Sequence, residues 1–325
     1  MKRLLCFLLA TCLLLPLFVA CGPDDTTIKV GVLAGTTGMG AVKMIEEADP
    51  RYEITIYPAT TPEALLNDLT SGKVDLAAIP TNAAAKLYNK TNGGIRMLAL
   101  NTLGVLHLLD TTGTVHTLED LEGKTVYVPM PGQNPEYILR HILAERGINA
   151  TVETSIPDAD ALGTALLSNE GENAAVQIAV LPQPKVTVIK TQAATKQISL
   201  STLDLSAEWN AIEDTPIAQG CLVGRADFVD EHKRAVKEFL EAYKASIEYV
   251  RAPENLEAAA DLIVKNGIIP KAPIAKAALP HCALSYVAGD EMKAALETFY
   301  AILFAFDAKA VGGSIPGEDF YFGAR

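Results

Sequence analysis

The sequence predicts an α/β protein built from two lobes, and two observations lead to this prediction. Short apolar runs typical of buried strands alternate along the chain with segments whose apolar residues recur at helical spacing. The chain is also long for one hydrophobic core: it has 325 residues, whereas single cores stop growing at about 250–300 residues. We therefore expect sheets flanked by helices, divided over two lobes.

The first strand–turn–helix unit is the stretch around which the prediction is built. A strand is predicted over 28–34 and a helix over 41–48, joined by the glycine-rich segment GTTGMG at 35–40. Such a turn leaves backbone N–H groups free at the carboxyl edge of a sheet, where open α/β sheets bind ligands. The spacing matches neither nucleotide-binding glycine pattern. We predict ligand contacts from Thr36, Thr37, Gly38, Met39 and Gly40.

These glycines have two interpretations. In the first, Gly38 and Gly40 let the backbone approach the ligand or adopt a positive φ. In the second, they only make a tight turn. The residue pattern favours the first without excluding the second.

The rest of the chain continues the alternation. Apolar runs predict strands over 52–59, 74–80, 95–100, 103–110, 125–130, 175–181 and 217–223. Periodicity and helix-start signals, such as Asn134 as cap and Pro135 as first residue, predict helices over 61–71, 82–89, 134–147, 159–168, 230–250, 254–265 and 290–306. Their apolar stripes are expected to pack against a core; they include Val236, Phe239, Leu240, Tyr243, Ile247, Val250, Phe299, Leu303 and Phe306.

Small polar residues follow several predicted strands. Carboxyl ends of parallel strands share one edge of a sheet, so these residues are expected to converge on one pocket. In the first lobe they are Thr81, Asn82, Asn101 and Thr102, and in the second they are Gln133, Asn134, Glu136, Tyr137 and Gln183. A single Thr-Asn pair can also be a helix cap, and Glu136 can be an ordinary charge at a helix N-terminus.

The N-terminus has the pattern of an export signal. Lys2 and Arg3 precede an apolar run at 4–17 that is short for a membrane span. The following Phe18-Val19-Ala20-Cys21 resembles the lipobox of bacterial lipoproteins, with Phe18 in place of the usual Leu. The resemblance implies a signal peptide over 1–20, lipid attachment at Cys21 and a tether over 21–27. The alternative is an ordinary cleaved signal peptide with an incidental cysteine.

Composition and residue spacing also limit the classes of function that are expected. The net charge is −12 and becomes −14 once Lys2 and Arg3 are removed, which argues against nucleic-acid binding. Of five cysteines, Cys221 and Cys282 remain in the mature domain, either as a disulfide or as buried thiols. No spacing predicts a metal site, no cofactor is expected, and no pattern of catalytic residues is present.

The motifs together resemble the substrate-binding lipoproteins of ABC importers, in the nitrate, taurine and thiamine-precursor branch. They are SGKVDLAAIPTN at 71–82, YNKTNG at 88–93, LNTLGVL at 100–106, TLEDLEGKTVYV at 117–128, NPEYIL at 134–139, VLPQP at 180–184 and GGSIPGEDFYF at 312–322, besides the GTTGMG segment. Gln183 departs from the Glu that the family often has in this motif.

The resemblance implies a two-lobed type II periplasmic-binding-protein fold with two crossover strands. Lobe 1 would comprise 26–106 and 222–325, and lobe 2 would comprise 107–221. It also implies a monomer outside the cytoplasm, anchored by lipid, with a small-molecule ligand and ABC permease subunits as partners. An enzyme on the same fold, such as a pyrimidine-precursor synthase or a dehydratase, is the rival class.

The predicted ligand loops contain neither Lys nor Arg. Strongly charged anions usually bind to Arg, whose planar fork matches carboxylate, sulfonate or phosphate. We therefore expect a small neutral or cationic ligand, such as a pyrimidine vitamin precursor, rather than a sulfonate or nitrate. Glu136 is the carboxylate that a cationic ligand would meet.

Overall fold

The strands form two separate sheets in the computed structural model, which describes residues 26–59, 61–168 and 171–324. Lobe 1 is the part built on six strands: β1 (Ile28–Leu33), β2 (Tyr52–Tyr57), β3 (Leu76–Pro80), β4 (Ile95–Thr102), β10 (Gly220–Arg225) and β11 (Leu284–Val287). Lobe 2 is the part built on five: β5 (Leu106–Asp110), β6 (Thr125–Tyr127), β7 (Thr151–Glu153), β8 (Ile178–Pro182) and β9 (Ser201–Asp204).

The strand order explains where polar strand ends meet. Lobe 1 has the order β11-β4-β10-β3-β1-β2 and lobe 2 the order β7-β6-β8-β5-β9. In lobe 1, β1 runs parallel to β2 and β3, whereas β10 is antiparallel to both β3 and β4. The amino end of β10 therefore lies at the same edge as the carboxyl ends of its two neighbours.

Helices cover both sheets. Those attached to lobe 1 are α1 (Thr36–Met39), α2 (Val42–Glu47), α3 (Pro62–Thr70), α4 (Thr81–Lys90), α9 (Ala226–Glu231), α10 (Lys233–Arg251), α11 (Leu256–Lys265), α12 (Ala272–Ala278) and α13 (Gly289–Phe306). Those of lobe 2 are α5 (Asn134–Glu145), α6 (Ala159–Leu166), α7 (Lys185–Lys196) and α8 (Leu205–Asn210).

Side chains of lobe 1 alternate between two apolar layers. In β3, Leu76 and Ala78 belong to one buried cluster while Ala77 and Ile79 belong to another. This period of two is what a sheet covered on both faces requires. The second of these clusters continues into lobe 2 through Trp209, whose ring lies 5.1 Å from His141 and 5.7 Å from Phe299.

The chain crosses between the sheets twice. The first connection, 103–105, joins β4 to β5, and the second, 211–219, joins α8 to β10. A Cβ on Gly104, in the first connection, would stand 3.4 Å from Ile217 Cβ in the second connection and 2.3 Å from Ser206 Oγ in α8. The two connections therefore run side by side, the arrangement that lets two lobes hinge.

Most of the predicted core positions are confirmed. The six apolar residues of the α10 stripe are all buried, as are Phe299 and Leu303 of α13. Phe306 differs, because it is the last residue of α13 and is 40% exposed. The buried row of α13 stops at Leu303, where the helix stops facing the core.

Other local differences have simple causes. Gln133 caps α5, and Asn134 is the first helical residue rather than the cap. Residues 36–39, expected as a turn, form the single-turn helix α1. Gly171–Ala175 form a 3₁₀ helix, so the strand predicted over 175–181 begins only at Ile178. The elements that the sequence pattern did not indicate are mostly short, so they carry few periodic positions: β7, β9, β11, α7, α8 and α12.

Both cysteines of the mature domain are buried free thiols. Cys221 donates to the carbonyl of Ile79 and Cys282 to that of Ala278. Burial raises the pKa of Cys282 to about 12 and that of Cys221 further. In the described part of the chain, no helix is long and apolar enough to cross a membrane.

Asp110, at the end of β5, holds the turn that follows it. One carboxylate oxygen accepts from Thr112 N at 2.7 Å, and the other accepts from the backbone N–H groups of Thr114 and Val115, each at 3.0 Å. Ser201 Oγ donates to the second oxygen at 3.3 Å. Burial opposes the charge on Asp110, but these hydrogen bonds outweigh it and lower the pKa of the carboxyl.

We expect Asp110→Asn to lower the free energy of unfolding by about 2–3 kcal/mol at neutral pH, because an amide NH₂ would face backbone N–H groups. A lowered folded-state pKa gives stability above the unfolded value of about 3.9 that disappears as the pH falls through the folded value. Urea unfolding at pH 7 and at pH 3 measures both effects.

Asp214→Asn is the matched control, since Asp214 is exposed and has no described partner. It should change stability by less than about 0.5 kcal/mol. Equal losses in the two variants, or a loss in Asp110→Asn that grows toward acid pH, would contradict the assignment.

Candidate functional site

The candidate site lies at the edge of lobe 1 that faces lobe 2. Gly220, the first residue of β10, is paired with Pro80 at the end of β3 and with Thr102 at the end of β4. This register places three strand ends side by side. The polar residues that follow or end these strands are thereby brought together, as the sequence predicts for Thr81, Asn82, Asn101 and Thr102.

Because Gly220 has no side chain, the side chains around it can approach each other at the centre of this edge. A Cβ on Gly220 would stand 2.7 Å from Asn101 Oδ1, 2.8 Å from Thr37 Cγ2 and 3.2 Å from Thr102 Cβ. Three side chains from the ends of β1 and β4 therefore converge on one point. Asn101 is held there by its Nδ2, which lies 3.0 Å from the buried hydroxyl of Tyr243.

Lobe 2 meets this edge through the start of α5. Asn134 is fully buried, and its Nδ2 donates to Thr81 Oγ1 at 3.0 Å and to the carbonyl of Gln219 at 3.2 Å. Thr81 in turn donates to the carbonyl of Ala218 at 2.5 Å. These bonds connect the first helical residue of lobe 2 to the strand ends of lobe 1.

The loop before α5 adds further contacts between the lobes. The carbonyl of Gly132 accepts from Lys86 Nζ at 2.6 Å and from Asn82 Nδ2 at 3.4 Å. Tyr137, one helical turn into α5, donates its hydroxyl to Asp307 Oδ2 at 3.3 Å. Burial, followed by the charge of Asp307, raises the pKa of Tyr137 to about 12, so the hydroxyl stays protonated.

Several buried side-chain oxygens at this junction have no hydrogen-bond partner among the described residues. Six of them come from the strand ends and the loops facing them: Asn82 Oδ1, Asn101 Oδ1, Thr102 Oγ1, Gln133 Oε1, Asn134 Oδ1 and Gln219 Oε1. Ser206 Oγ and Tyr321 OH are the two others. Because buried polar groups are nearly always hydrogen-bonded, such a concentration indicates a place where a polar molecule binds.

Three predicted contact residues, Met39, Gly38 and Gly40, have roles within the protein itself. Met39 is fully buried in the apolar layer behind β1. Neither Gly38 nor Gly40 has a positive φ, whereas Gly35 has φ 121°. A Cβ on Gly38 would stand 2.5 Å from the carbonyl oxygen of Leu33, so that glycine is required by the chain's own backbone. For Gly38, the structure therefore favours the tight-turn interpretation.

Other predicted residues are occupied by their own helices. Glu136 accepts from Gly132 N at 2.7 Å and from Arg140 Nε at 2.9 Å, which is the helix N-terminal role. Gln183 accepts from Thr187 Oγ1 at 2.9 Å. Thr36 is half-buried at the start of α1. Ligand contacts from these residues stay predictions.

Two residues of the junction were missed by sequence reasoning. Gln219 lies in the connection before β10, where the sequence predicted the interior of a strand. Lys86 is four residues after Asn82 in α4, and this spacing on one helix face is a signal that could have identified it. Burial lowers the pKa of Lys86, and Asp307 and Glu136 oppose that shift.

A separate groove of about 430 Å³ lies at the other end of β4. It is lined in part by Arg96, which pairs with Asp230 at 3.1 Å and with Asp319 at 3.4 Å. Arg96 and Thr102 are six residues apart on one strand, a distance of about 20 Å. This groove is therefore independent of the junction. Among the described residues, no group of His, Cys, Asp and Glu is arranged to hold a metal ion.

The fold and the junction define the class of protein. Two α/β lobes joined by two adjacent connections, with polar strand ends facing each other, form the periplasmic-binding-protein fold. Within that class, the chain belongs to the menaquinone biosynthesis family, whose profile matches residues 41–305. A comparison with proteins of curated function finds no match.

Solved structures agree with the fold. An ABC transporter protein of Parabacteroides distasonis has a TM-score of 0.75 at 23% identity, covering 91% of this chain and 99% of that one. The periplasmic aliphatic sulphonate binding protein of Escherichia coli has a TM-score of 0.71 at 16% identity, covering 92% of each chain. The alkanesulfonate-binding protein of Xanthomonas axonopodis pv. citri, bound to MOPS, has a TM-score of 0.62 at 13% identity, covering 94% of this chain and 99% of that one.

Thr102→Val tests whether the unpaired oxygens are correctly identified. Thr102 Oγ1 is buried without a partner, so an apolar side chain of the same shape should raise the free energy of unfolding of the ligand-free protein by about 1 kcal/mol. The same variant should bind ligand more weakly. Urea unfolding and calorimetric titration measure the two effects.

Thr81→Val is the matched control, because the Thr81 hydroxyl is used in two hydrogen bonds. It should destabilise the protein by about 1–3 kcal/mol. If Thr102→Val destabilises the protein as much as Thr81→Val, the Thr102 hydroxyl has a partner and the identification is wrong.

Proposed function

We propose that this protein is an extracytoplasmic solute-binding lipoprotein that captures a small molecule between its lobes and delivers it to an ABC importer. The observation that carries the proposal is the set of six unpaired oxygens at the junction. They come from both lobes, so a ligand that bonds to them links the lobes together. A structure in which a ligand stabilises one arrangement of two lobes is suited to capture and release.

The energetics support a ligand at this place. Burying an unpaired amide or hydroxyl costs about 1–3 kcal/mol in proteins. Six such groups at one junction are a large cost for the ligand-free form with the lobes in contact. A ligand that supplies partners removes that cost, and so favours the form in which the lobes meet.

The comparisons support a role in transport. Two of the similar structures are described as sulfonate-binding proteins and one as an ABC transporter protein. Because their sequence identities to this chain are low, these structures support the fold, and their ligands are not assigned to this protein. The sequence motifs described above resemble those of the nitrate, taurine and thiamine-precursor branch of importer proteins, and we propose that the protein acts as a monomer with permease subunits.

The ligand that we propose is the small neutral or cationic molecule expected from the sequence. The predicted ligand loops contain no basic residue, but Lys86 of α4 does lie between the lobes. Its ammonium group is bonded to the Gly132 carbonyl, and Asp307 and Glu136 are the charges that act on it. Lys86 and Arg140 together face two carboxylates, Asp307 and Glu136, so these four charges sum to zero and leave no net positive charge for an anion.

The second candidate is an enzyme on the same fold, and the family match favours it, since that family is described by menaquinone biosynthesis. The two functions differ in a measurable way. A binding protein releases its ligand unchanged, whereas an enzyme converts it. Mass spectrometry of any ligand found by screening, after prolonged incubation with the protein, decides between them.

Closure of the lobes is the first test of the proposal. A thermal-shift screen against pyrimidines, other vitamin precursors, amines, sulfonates and inorganic anions should give at least one stabilising ligand. That ligand should reduce the radius of gyration in solution scattering, because it links the lobes. Asn134→Ala removes two hydrogen bonds to lobe 1, so the free variant should be more expanded than the parent protein.

Asn149→Ala is the control for scattering, since Asn149 is an exposed residue of lobe 2. It should behave as the parent protein does. No stabilising ligand in any chemical class would count against solute binding. A ligand that binds tightly while the radius stays the same in all three proteins would count against closure.

Lipid attachment is the second test, and Cys21 lies outside the described residues. Cys21→Ala should abolish incorporation of labelled palmitate and move the protein from the membrane fraction to the soluble one. Cys12→Ala is a suitable control, because Cys12 lies inside the predicted signal peptide. Equal labelling of the parent protein and Cys21→Ala would refute the anchor.

A further inference from the structure

We infer that the junction selects an uncharged small molecule that binds by donating several N–H hydrogen bonds, as an amide, a urea or an amino-substituted heterocycle does. The inference rests on the proposed function and names the ligand class for the same site. It follows from the chemical character of the unpaired atoms, from the bonds that orient them and from the charges around them.

Every unpaired buried side-chain atom in the described part of the chain is an oxygen. Of the six at the junction, five are amide oxygens, which only accept hydrogen bonds, and the sixth is the hydroxyl of Thr102. No buried side-chain nitrogen of the described residues lacks a partner. The buried side-chain atoms left with no partner at all are therefore acceptors, whereas each buried side-chain nitrogen makes at least one hydrogen bond.

The orientation of two amides is fixed by their neighbours. Nδ2 of Asn134 donates to the carbonyl of Gln219, and Nδ2 of Asn82 donates to the carbonyl of Gly132. A backbone carbonyl can only accept, so exchanging N and O in either side chain would place two oxygens against each other. The oxygens of Asn82 and Asn134 are consequently the atoms left for a ligand.

N–H groups match this set better than hydroxyl groups do. An NH₂ conjugated to a carbonyl or a ring brings two donors, and its nitrogen accepts no hydrogen bond. Each hydroxyl brings one donor together with lone pairs that need donors of their own, and no unpartnered buried side-chain nitrogen is there to supply them. A ligand rich in N–H groups can therefore satisfy more of the six oxygens for its size.

The ligand is uncharged because no opposite charge is free to pair with it. Both oxygens of Glu136 are bonded, one to Gly132 N and one to Arg140. Asp307 accepts from Tyr137 and from the backbone N–H of Lys309 at 2.9 Å. Lys86 Nζ is bonded to the Gly132 carbonyl, and the charges of Asp307 and Glu136 act on it. A charged ligand would therefore pay a desolvation cost that no unpartnered opposite charge offsets.

The test is a screen whose arms differ in charge and in donors. Calorimetry and thermal shift would compare neutral N–H compounds, polyols, neutral compounds without donors, protonated amines and anions. Four of the five arms contain one member each of a matched pyridine set: nicotinamide as the neutral N–H compound, 3-acetylpyridine as the neutral compound without donors, 3-(aminomethyl)pyridine as the protonated amine and nicotinate as the anion. We expect the tightest ligand to be a neutral N–H compound, and replacing its NH₂ by CH₃ should weaken binding at least tenfold.

Variants of Gln133 make the test specific to the site. Gln133→Met removes one acceptor and should lower the affinity for the neutral ligand by about tenfold. Gln133→Glu keeps an acceptor but adds a charge, so it should shift the preference between protonated amine and neutral ligand at least tenfold toward the amine. Gln177→Glu, at an exposed position of lobe 2, should change neither value.

The outcomes separate the two proposals. If a sulfonate, a carboxylate, a polyol or a protonated amine is the tightest ligand of the parent protein, the N–H inference is wrong while solute binding stands. The same holds if the CH₃ analogue binds as well as the NH₂ compound. If no arm yields a ligand, the proposed function itself fails.

Discussion

The antiparallel placement of β10 between β3 and β4 is the constraint on which the candidate site depends. It sets Gly220 opposite both Pro80 and Thr102. The same register brings Gln219, the last residue of the connection from lobe 2, to the edge where Asn101 and Thr102 end β4. The pairing of Gly220 thus fixes three features at once: the order of the sheet, the position of the second connection and the polar edge. A shift by one residue would turn these side chains toward the apolar layers.

Around that edge the molecule combines a shared apolar core with polar atoms that lack partners. Near the connections, Trp209 packs against rings from both lobes and holds them together. Across the junction, Asn134 gives its amide hydrogens to lobe 1 but keeps its oxygen unpaired. The shared core keeps the lobes in register, while the unpaired oxygens make their contact dependent on what binds there. That division of roles is the physical basis of the proposed capture.

Much of the fold and of the junction was predictable from the sequence, because the spacing of apolar residues and the polar residues that follow strands are local signals. They located Thr37, Asn82, Asn101, Thr102, Gln133 and Asn134, which the structure brings together. The contacts that the sequence could not show are set by the tertiary structure. Gly38 is required by the carbonyl of Leu33, and Glu136 is bonded to Gly132 and Arg140. No sequence pattern shows which hydrogen bonds an amide has already made, so the surplus of acceptors appears only in the folded chain.

A crystal structure of the mature protein with the tightest ligand from an unbiased screen tests the central claim most directly. The account predicts a ligand between the lobes whose N–H groups lie about 2.7–3.2 Å from the oxygens of Asn82, Asn101, Gln133, Asn134 or Gln219. A ligand seated instead in the groove beside Arg96 would contradict the account. So would a ligand at the junction whose acidic group is held by Lys86.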